Sequence, residues 1–211
     1  LVVKPEQQLW AAVPLVAMAG CVDAIGWLQL DEMFIGIITG NSTLLGVAMA
    51  GGEWRRAGAL AGLVGLFAMG AFLGAWIGVK AKRWRIPAVL GTVAALYAIG
   101  AFLPFEGLVP PALFVLVPAM GMVNTALPAA GGITFLTGTL VRSMQFLVNG
   151  LAGEMPPGTW LPHFCAWIGV VCGALLGAVV EMQAGSHALL VPALGLTVGA
   201  VLVGRHIARA G

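Results

Sequence analysis

The chain has 211 residues, 60% of them hydrophobic, and carries 10 basic and 8 acidic side chains for a net charge of +2. Its mean hydropathy is +1.01. Soluble domains are about a quarter charged, so a charged fraction of 9% excludes an ordinary cytosolic enzyme and a disordered chain. So small a net charge also excludes a basic nucleic-acid-binding face. The composition predicts an all-α integral membrane protein forming a single transmembrane domain over residues 1–211.

A bilayer core is crossed by about 20 apolar residues. Apolar runs of that order lie at about 10–30, 34–52, 57–79, 87–104, 109–128, 133–152, 160–182 and 187–207. Charges punctuate them: Asp31-Glu32, Glu53 with Arg55 and Arg56, Lys80 through Arg85, Glu106, Glu154, Glu181, and Arg205 with Arg209. The first run follows Leu1 without an initiator Met, so a short N-terminal piece is expected to be missing. No small-residue cleavage site follows this run, which predicts a retained helix rather than a signal peptide.

Two runs are interrupted. Run 34–52 contains Thr39-Gly40-Asn41-Ser42-Thr43, and run 133–152 contains Thr137-Gly138-Thr139. Glycine among small hydroxyl and amide residues breaks one helix and caps the next. Half-helices are therefore expected from about residues 41 and 139, on re-entrant segments covered by protein or a watery cavity. The cations agree with that reading. If all eight runs cross, Lys4, Arg55, Arg56, Arg205 and Arg209 oppose the four cations of 80–85, which is 5 against 4 and no bias. If the interrupted runs enter and leave on one side, the split becomes 7 against 2, leaving intramembrane Arg142 out of both counts. The positive-inside rule then favours six spanning helices with both termini in the cytoplasm.

The second half repeats the first. Gly20-Cys21-Val22-Asp23 answers to Gly121-Met122-Val123-Asn124 at an offset of 101, and Thr39-Gly40-Asn41 to Thr137-Gly138-Thr139 at 98. Gly70-Ala71 with Gly74-Ala75 answers to Gly173-Ala174 with Gly177-Ala178 at 103, and Pro87-Ala88 to Pro192-Ala193 at 105. Repeat 1 covers about 9–104 and repeat 2 about 109–208. Three spans per repeat is an odd number of crossings, so the second copy must lie inverted. Inverted repeats with interrupted helices are a transporter and channel architecture, its site at the midplane. Half-helix N-termini there favour an anion or the negative end of a dipolar solute.

Asp23 lies deep in the first run, where an ionisable group is costly and a functional candidate by default. It is expected to couple or gate, as a proton-coupling carboxylate, a cation ligand or a partner for a buried cation, or else to be a structural carboxylate bonded to backbone amides. Its repeat mate Asn124 keeps hydrogen bonding and loses the charge. Arg142 would add charge to an anion site, snorkel, or pair with Asp23. Thr39, Asn41, Ser42, Thr43, Asn124, Thr137, Thr139 and Arg142 are the expected solute-binding residues, against helix capping alone. Gln145 and Asn149 continue the second half-helix and would line a polar path or bond between helices. Gly70-xxx-Gly74-xxx-Gly78 and Gly169-xxx-Gly173-xxx-Gly177 let helices approach closely, within the monomer or across a homodimer. Trp10, Trp54, Trp76, Trp84 and Trp160 lie near run ends, as an interfacial belt requires. Cys21, Cys165 and Cys172 read as buried thiols, and His163, His187 and His206 as interfacial. No metal site, cofactor or catalytic motif is expected.

Gly20-Cys21-Val22-Asp23-Ala24-Ile25-Gly26, Phe34 and Thr39-Gly40-Asn41, then Met120-Gly121-Met122-Val123-Asn124 and Thr137-Gly138-Thr139-Leu140, resemble the YoaK-like family of bacterial inner-membrane proteins. The resemblance spans most of the chain in order. It implies a polytopic membrane protein of about six helices, and no substrate, since the family's function is unknown. One departure is that Gly121 to Thr137 is 16 residues, against 19 from Gly20 to Thr39, so the two halves of a site would differ in depth. The expectation is an inner-membrane channel or secondary transporter for a small anion or dipolar solute, bound between the two breaks. The alternatives are a non-transporting assembly or lipid-binding module and, less favoured, an intramembrane enzyme. The partners expected are the lipid bilayer and the solute, with no nucleic acid.

Overall fold

The computed structural model describes residues 5–30, 33–107, 109–127 and 136–209. Lys4, the Asp31-Glu32 cluster and the approach to Thr137 at 128–135 lie outside the described residues. The described chain is all-α: α1 (Pro5–Gln29), α2 (Ile38–Ala50), α3 (Trp54–Ala81), α4 (Arg85–Gly100), α5 (Leu113–Val123), α6 (Leu136–Leu151), α7 (Leu161–Ala184) and α8 (Leu190–Arg209). Three stretches are long and apolar enough to cross a membrane: Leu9–Gln29, Trp54–Gly100 and Leu161–Arg209. The last two each contain two helices joined by a 3-10 turn, at Lys82–Trp84 and Gly185–Leu189. Large apolar side chains such as Phe72, Val79, Met182 and Leu202 are exposed on α3, α7 and α8. A wet surface would penalise such a face, and lipid does not.

Glycine sets the closest helix contacts. A Cβ on Gly70 would overlap the backbone of Pro118, and one on Gly74 would lie 2.8 Å from Met122 Cα, so α3 lies directly on α5. Likewise a Cβ on Gly173 would overlap Ala17, and one on Gly177 would meet Cys21, so α7 lies on α1. The glycines of both stripes, Gly70, Gly74, Gly78, Gly169, Gly173 and Gly177, are buried within this one chain. Small-residue stripes permit this approach in lipid, where dispersion and close packing replace the hydrophobic effect.

The same contacts fix helix directions. Residue numbers rise together in the pairs Val13–Gly169, Ala17–Gly173 and Cys21–Gly177, so α1 and α7 run parallel. The pairs Gly70–Pro118 and Gly74–Met122 make α3 and α5 parallel. Gly100 meets Leu116 and Tyr97 meets Met120, so α4 opposes α5. Gly100 with Leu189, Leu90 with Gly199 and Pro87 with Gly204 make α4 and α8 antiparallel. At the far end of α7, Gln29 Nε2 donates to Glu181 at 2.5 Å, and Gly195 then meets Met18, so α8 runs back along α1. Helices α1, α4 and α7 therefore point one way, and α3, α5 and α8 the other. This arrangement gathers Lys80, Lys82, Arg83, Arg85, Arg205 and Arg209 at one end and leaves Arg55 and Arg56 at the other.

Two predicted elements differ from the sequence reading. The run at 109–128 yields a helix of only 11 residues, about 16 Å long. Pro110 and Pro111 lack donors and hold the chain in turns before Leu113. Beyond Val123 the chain turns again, and Arg85 Nε and Nη2 donate to the Thr125 carbonyl at 3.2 and 2.8 Å. A cation bonding carbonyls at a helix C-terminus is favourable for both hydrogen bonding and dipole. The short helix is the centre of the core, with Leu113 and every residue from Leu116 to Val123 buried.

The second difference concerns the expected caps. Helix α2 starts at Ile38, and Thr137-Gly138-Thr139 lie within α6, so both small-residue triplets are inside a helix rather than before it. The cap residue Ile37 makes no side-chain cap bond. Ser42 and Thr43 instead donate to the carbonyls of Ile38 and Thr39, at 2.8 and 3.1 Å. A hydroxyl within a helix has its own i−4 carbonyl closer than any free N–H of the first turn. The break in the chain is the non-helical stretch 33–37, upstream of the triplet.

Candidate functional site

Asp23 organises that break. It is only 8% exposed, and its Oδ1 accepts from the Gly36 amide at 2.6 Å. The amides of Ile35 and Ile37 lie close enough to act on the carboxyl group as well. Successive backbone N–H groups of this kind form an anion-binding nest, here filled from a helix thirteen residues away. The chain leaves α1 at Gln29, yet Gly36 is back at the level of Asp23. Six residues of helix are about 9 Å, so α2 starts roughly that far inside the bundle from the end of α1. Of the two sequence readings of Asp23, the carboxylate bonded to backbone amides describes its contacts.

Asn41 clamps the same stretch from the other side. It is fully buried. Its Oδ1 accepts from the Phe34 amide at 3.1 Å, and its Nδ2 donates to the Phe34 carbonyl at 2.6 Å. Both ends of the side-chain amide thus bond one backbone unit, which fixes extended chain at a depth where unpaired groups are costly.

A cavity of about 360 Å³ opens beside this assembly, within the 300–1,000 Å³ usual for small-ligand sites. Its walls come from α1 (Ala19, Gly20, Asp23, Ala24, Trp27, Leu28), the break (Phe34, Ile37), α6 (Leu136) and α7 (Val170, Ala174, Ala178). Among the described residues, Asp23 is the one ionisable group in this lining. Ile37 immediately precedes α2, so the start of that helix borders the cavity, and Leu136 brings α6 to it. The Trp27 and Phe34 rings pack together with centroids 4.7 Å apart.

The other predicted residues lie apart from this lining. Thr39, Ser42, Thr43, Thr137 and Arg142 are exposed, while Thr139 is half-buried. Asn124 Nδ2 donates to the Met120 carbonyl at 2.8 Å. Arg142 and Asp23 make no ion pair; among the described residues the ion pair present joins Glu53 and Arg56 at 4.0 Å. The Arg142 guanidinium is an electrostatic neighbour of His163 instead. Gln145 is exposed, and Asn149 Nδ2 contacts Met155 Sδ at 3.8 Å. His163, expected at an interface, is buried against Phe146 with centroids 5.1 Å apart. Of the three thiols only Cys21 is buried; Cys172 is exposed on α7.

Three residues near the site carried no functional expectation. Trp27 follows Asp23 by one helical turn, a spacing that puts both on one face. Phe34 is brought there by the break. Tyr97, the one tyrosine in the chain, is 1% exposed with its hydroxyl 3.7 Å from Met120 Sδ. Its place in mid-run, away from the ends where tyrosine collects, was the available signal.

A family model described as "Protein of unknown function (DUF1275)" matches residues 11–202. The UPF0700 transmembrane protein RA0705 of Rhizobium meliloti (strain 1021) is 32% identical over 181 residues, covering 84% of this chain and 77% of the relative. No solved structure matches the chain.

Proposed function

Because the chain belongs to the DUF1275 family of transmembrane proteins, we propose that it is a channel or secondary transporter for a small solute. In this reading it sits in the bacterial inner membrane as two inverted repeats, with six spans and two re-entrant segments. The observation that carries it is the cavity beside Asp23, where the start of α2, a residue of α6 and a deeply placed carboxylate come together. Sites of this make-up, at discontinuous helices between repeats, are where secondary transporters bind their cargo.

The contact pattern supports the repeats. Gly70 on Pro118 corresponds to Gly173 on Ala17, since 173 − 70 = 103 and 118 − 17 = 101. Gly74 on Met122 corresponds in the same way to Gly177 on Cys21, and Gly121 on Phe67 to Gly20 on Val170. Helix directions support the inversion. The sequence α1, α3, α4 reads up, down, up, and α5, α7, α8 reads down, up, down. If all eight helices crossed in turn, α4 and α8 would be parallel, and they are antiparallel. The 13 residues of α2, about 20 Å long, are also short for a bilayer core of about 30 Å. With Arg142 of α6 left out, six described cations at one end against two at the other favour that end as cytoplasmic, with both termini there.

The geometry disfavours a free anion. The amides before α2, which would attract an anion, already hold the Asp23 carboxylate. Flux of small solutes into proteoliposomes tests the reading. Flux is expected to fall at least about tenfold when Asp23→Asn removes the charge or Ala174→Leu fills the cavity. Unchanged flux in both variants overturns it.

One observation favours the second reading, a non-transporting assembly module. A Cβ added to Gly58, Gly62 or Gly65 would meet no heavy atom of the described residues within 4 Å. These glycines line an apolar groove of about 410 Å³ with Met69, Leu113 and Phe114. A homodimer through Gly-rich helices would use this open face rather than the two inward stripes. Cysteine placed at 34 or 37, with native cysteines removed, separates the readings. Protection from a membrane-impermeant thiol reagent on both sides favours assembly.

A further inference from the structure

We propose that the cavity beside Asp23 is a site for a small organic cation, an amine or quaternary ammonium carrying apolar groups. This rests on reading the cavity as the solute site and names the class of solute.

The first argument is charge. Asp23 lines the cavity, and no described Lys, Arg or His shares that lining. Among the described residues it has no ion pair, and Arg142 stands exposed on α6. A carboxyl removed from water without a countercharge either keeps a proton or takes a positive charge beside it, so the charge this site can accept is positive. The backbone bond to Gly36 holds the group in one orientation before any solute arrives and adds no net charge.

The second argument is the remaining wall. Trp27 and Phe34 lie beside the carboxylate, and a cation over an aromatic face is attracted by the ring quadrupole. Ala19, Gly20, Ala24, Val170, Ala174 and Ala178 supply a small, apolar floor without side-chain donors. An anion would find its donors already taken by Asp23. A sugar-like neutral solute would leave several polar groups unpaired, at a cost for each. An alkylated ammonium suits both the charge and the apolar walls. Trp27 and Leu28 are partly exposed, which leaves a side of the cavity open for entry.

The test is equilibrium binding to the purified full chain in nanodiscs, using tetramethylammonium as the cation and pivalate as an anion of similar shape. Tetramethylammonium is expected to bind saturably and pivalate not at all. Asp23→Asn, which keeps an oxygen acceptor for the Gly36 amide, should weaken binding about tenfold or more, and Trp27→Leu about fivefold. Absence of tetramethylammonium binding, or binding indifferent to Asp23→Asn, overturns the proposal. If pivalate binds in its place and is lost in Ala174→Leu, the cation assignment fails while the cavity stands as a solute site. If neither probe binds and solute flux ignores Ala174→Leu, both readings fail together.

Discussion

The α1–α7 pair and the α3–α5 pair are built by one device and differ in their chemistry. In each, a glycine stripe on a long helix lies against the backbone of a buried partner running the same way. Beside the first pair is a cavity with a carboxylate; the corresponding residue on α5 is Asn124, bonded to its own helix at Met120. Backbone contact at a glycine leaves little room for any side chain, and both pairs have it. Asp23 and Asn124 each lie two residues beyond such a contact, at Cys21 and Met122, and there the two regions differ.

The sharpest way to break this comparison is through the glycines. Gly173→Val and Gly70→Val should each prevent recovery of folded protein from detergent extracts, because the new side chain meets backbone that cannot move aside. The alanine variants should each cost about 1–3 kcal/mol, read as a shift in chemical unfolding in micelles. If one pair tolerates alanine without loss, the two are not equivalent. A middle-sized effect is expected from Asp23. Asp23→Ala strands the buried Gly36 amide and should cost about 1–3 kcal/mol, whereas Asp23→Asn, which copies the Asn124 side, should cost less. Equal stability of the two variants would mean that the carboxyl does not hold the break. The smallest effect belongs to α2: Ser42→Ala and Thr43→Val remove exposed hydroxyls bonded to their own helix and should shift stability by no more than about 0.5 kcal/mol. Flux should stay near wild type; a loss as large as that from Asp23→Asn would put the solute on the outer face of α2.

Several of these features are legible in the sequence because they are periodic or local. The glycine stripes announce close packing by their i, i+4 spacing, and the offsets of 101 and 103 pair the residues that end up in equivalent contacts. The start of α2 is less legible. Thr39-Gly40-Asn41 has the composition of a cap, yet the group at that N-terminus is Asp23 from another helix, and long-range caps leave no local pattern. Asn41 likewise reads as a site residue until its amide is seen bonded to both polar atoms of Phe34. The cavity was hidden for the same reason. Trp27 and Phe34 look like two more apolar residues until a break in the chain folds one against the other.

The exchange of partners between halves has a consequence for biogenesis. Helix α1 meets its main partner through Ala17 and Gly173, which are 156 residues apart, since 173 − 17 = 156. Until α7 leaves the ribosome, the face of α1 that carries Val13, Ala17 and Cys21 must wait in the bilayer against lipid or an insertion factor. The early half of the protein is thus inserted before it is folded. The late half supplies the template on which it closes, and truncation before α7 should send α1 to quality control rather than to a smaller stable protein.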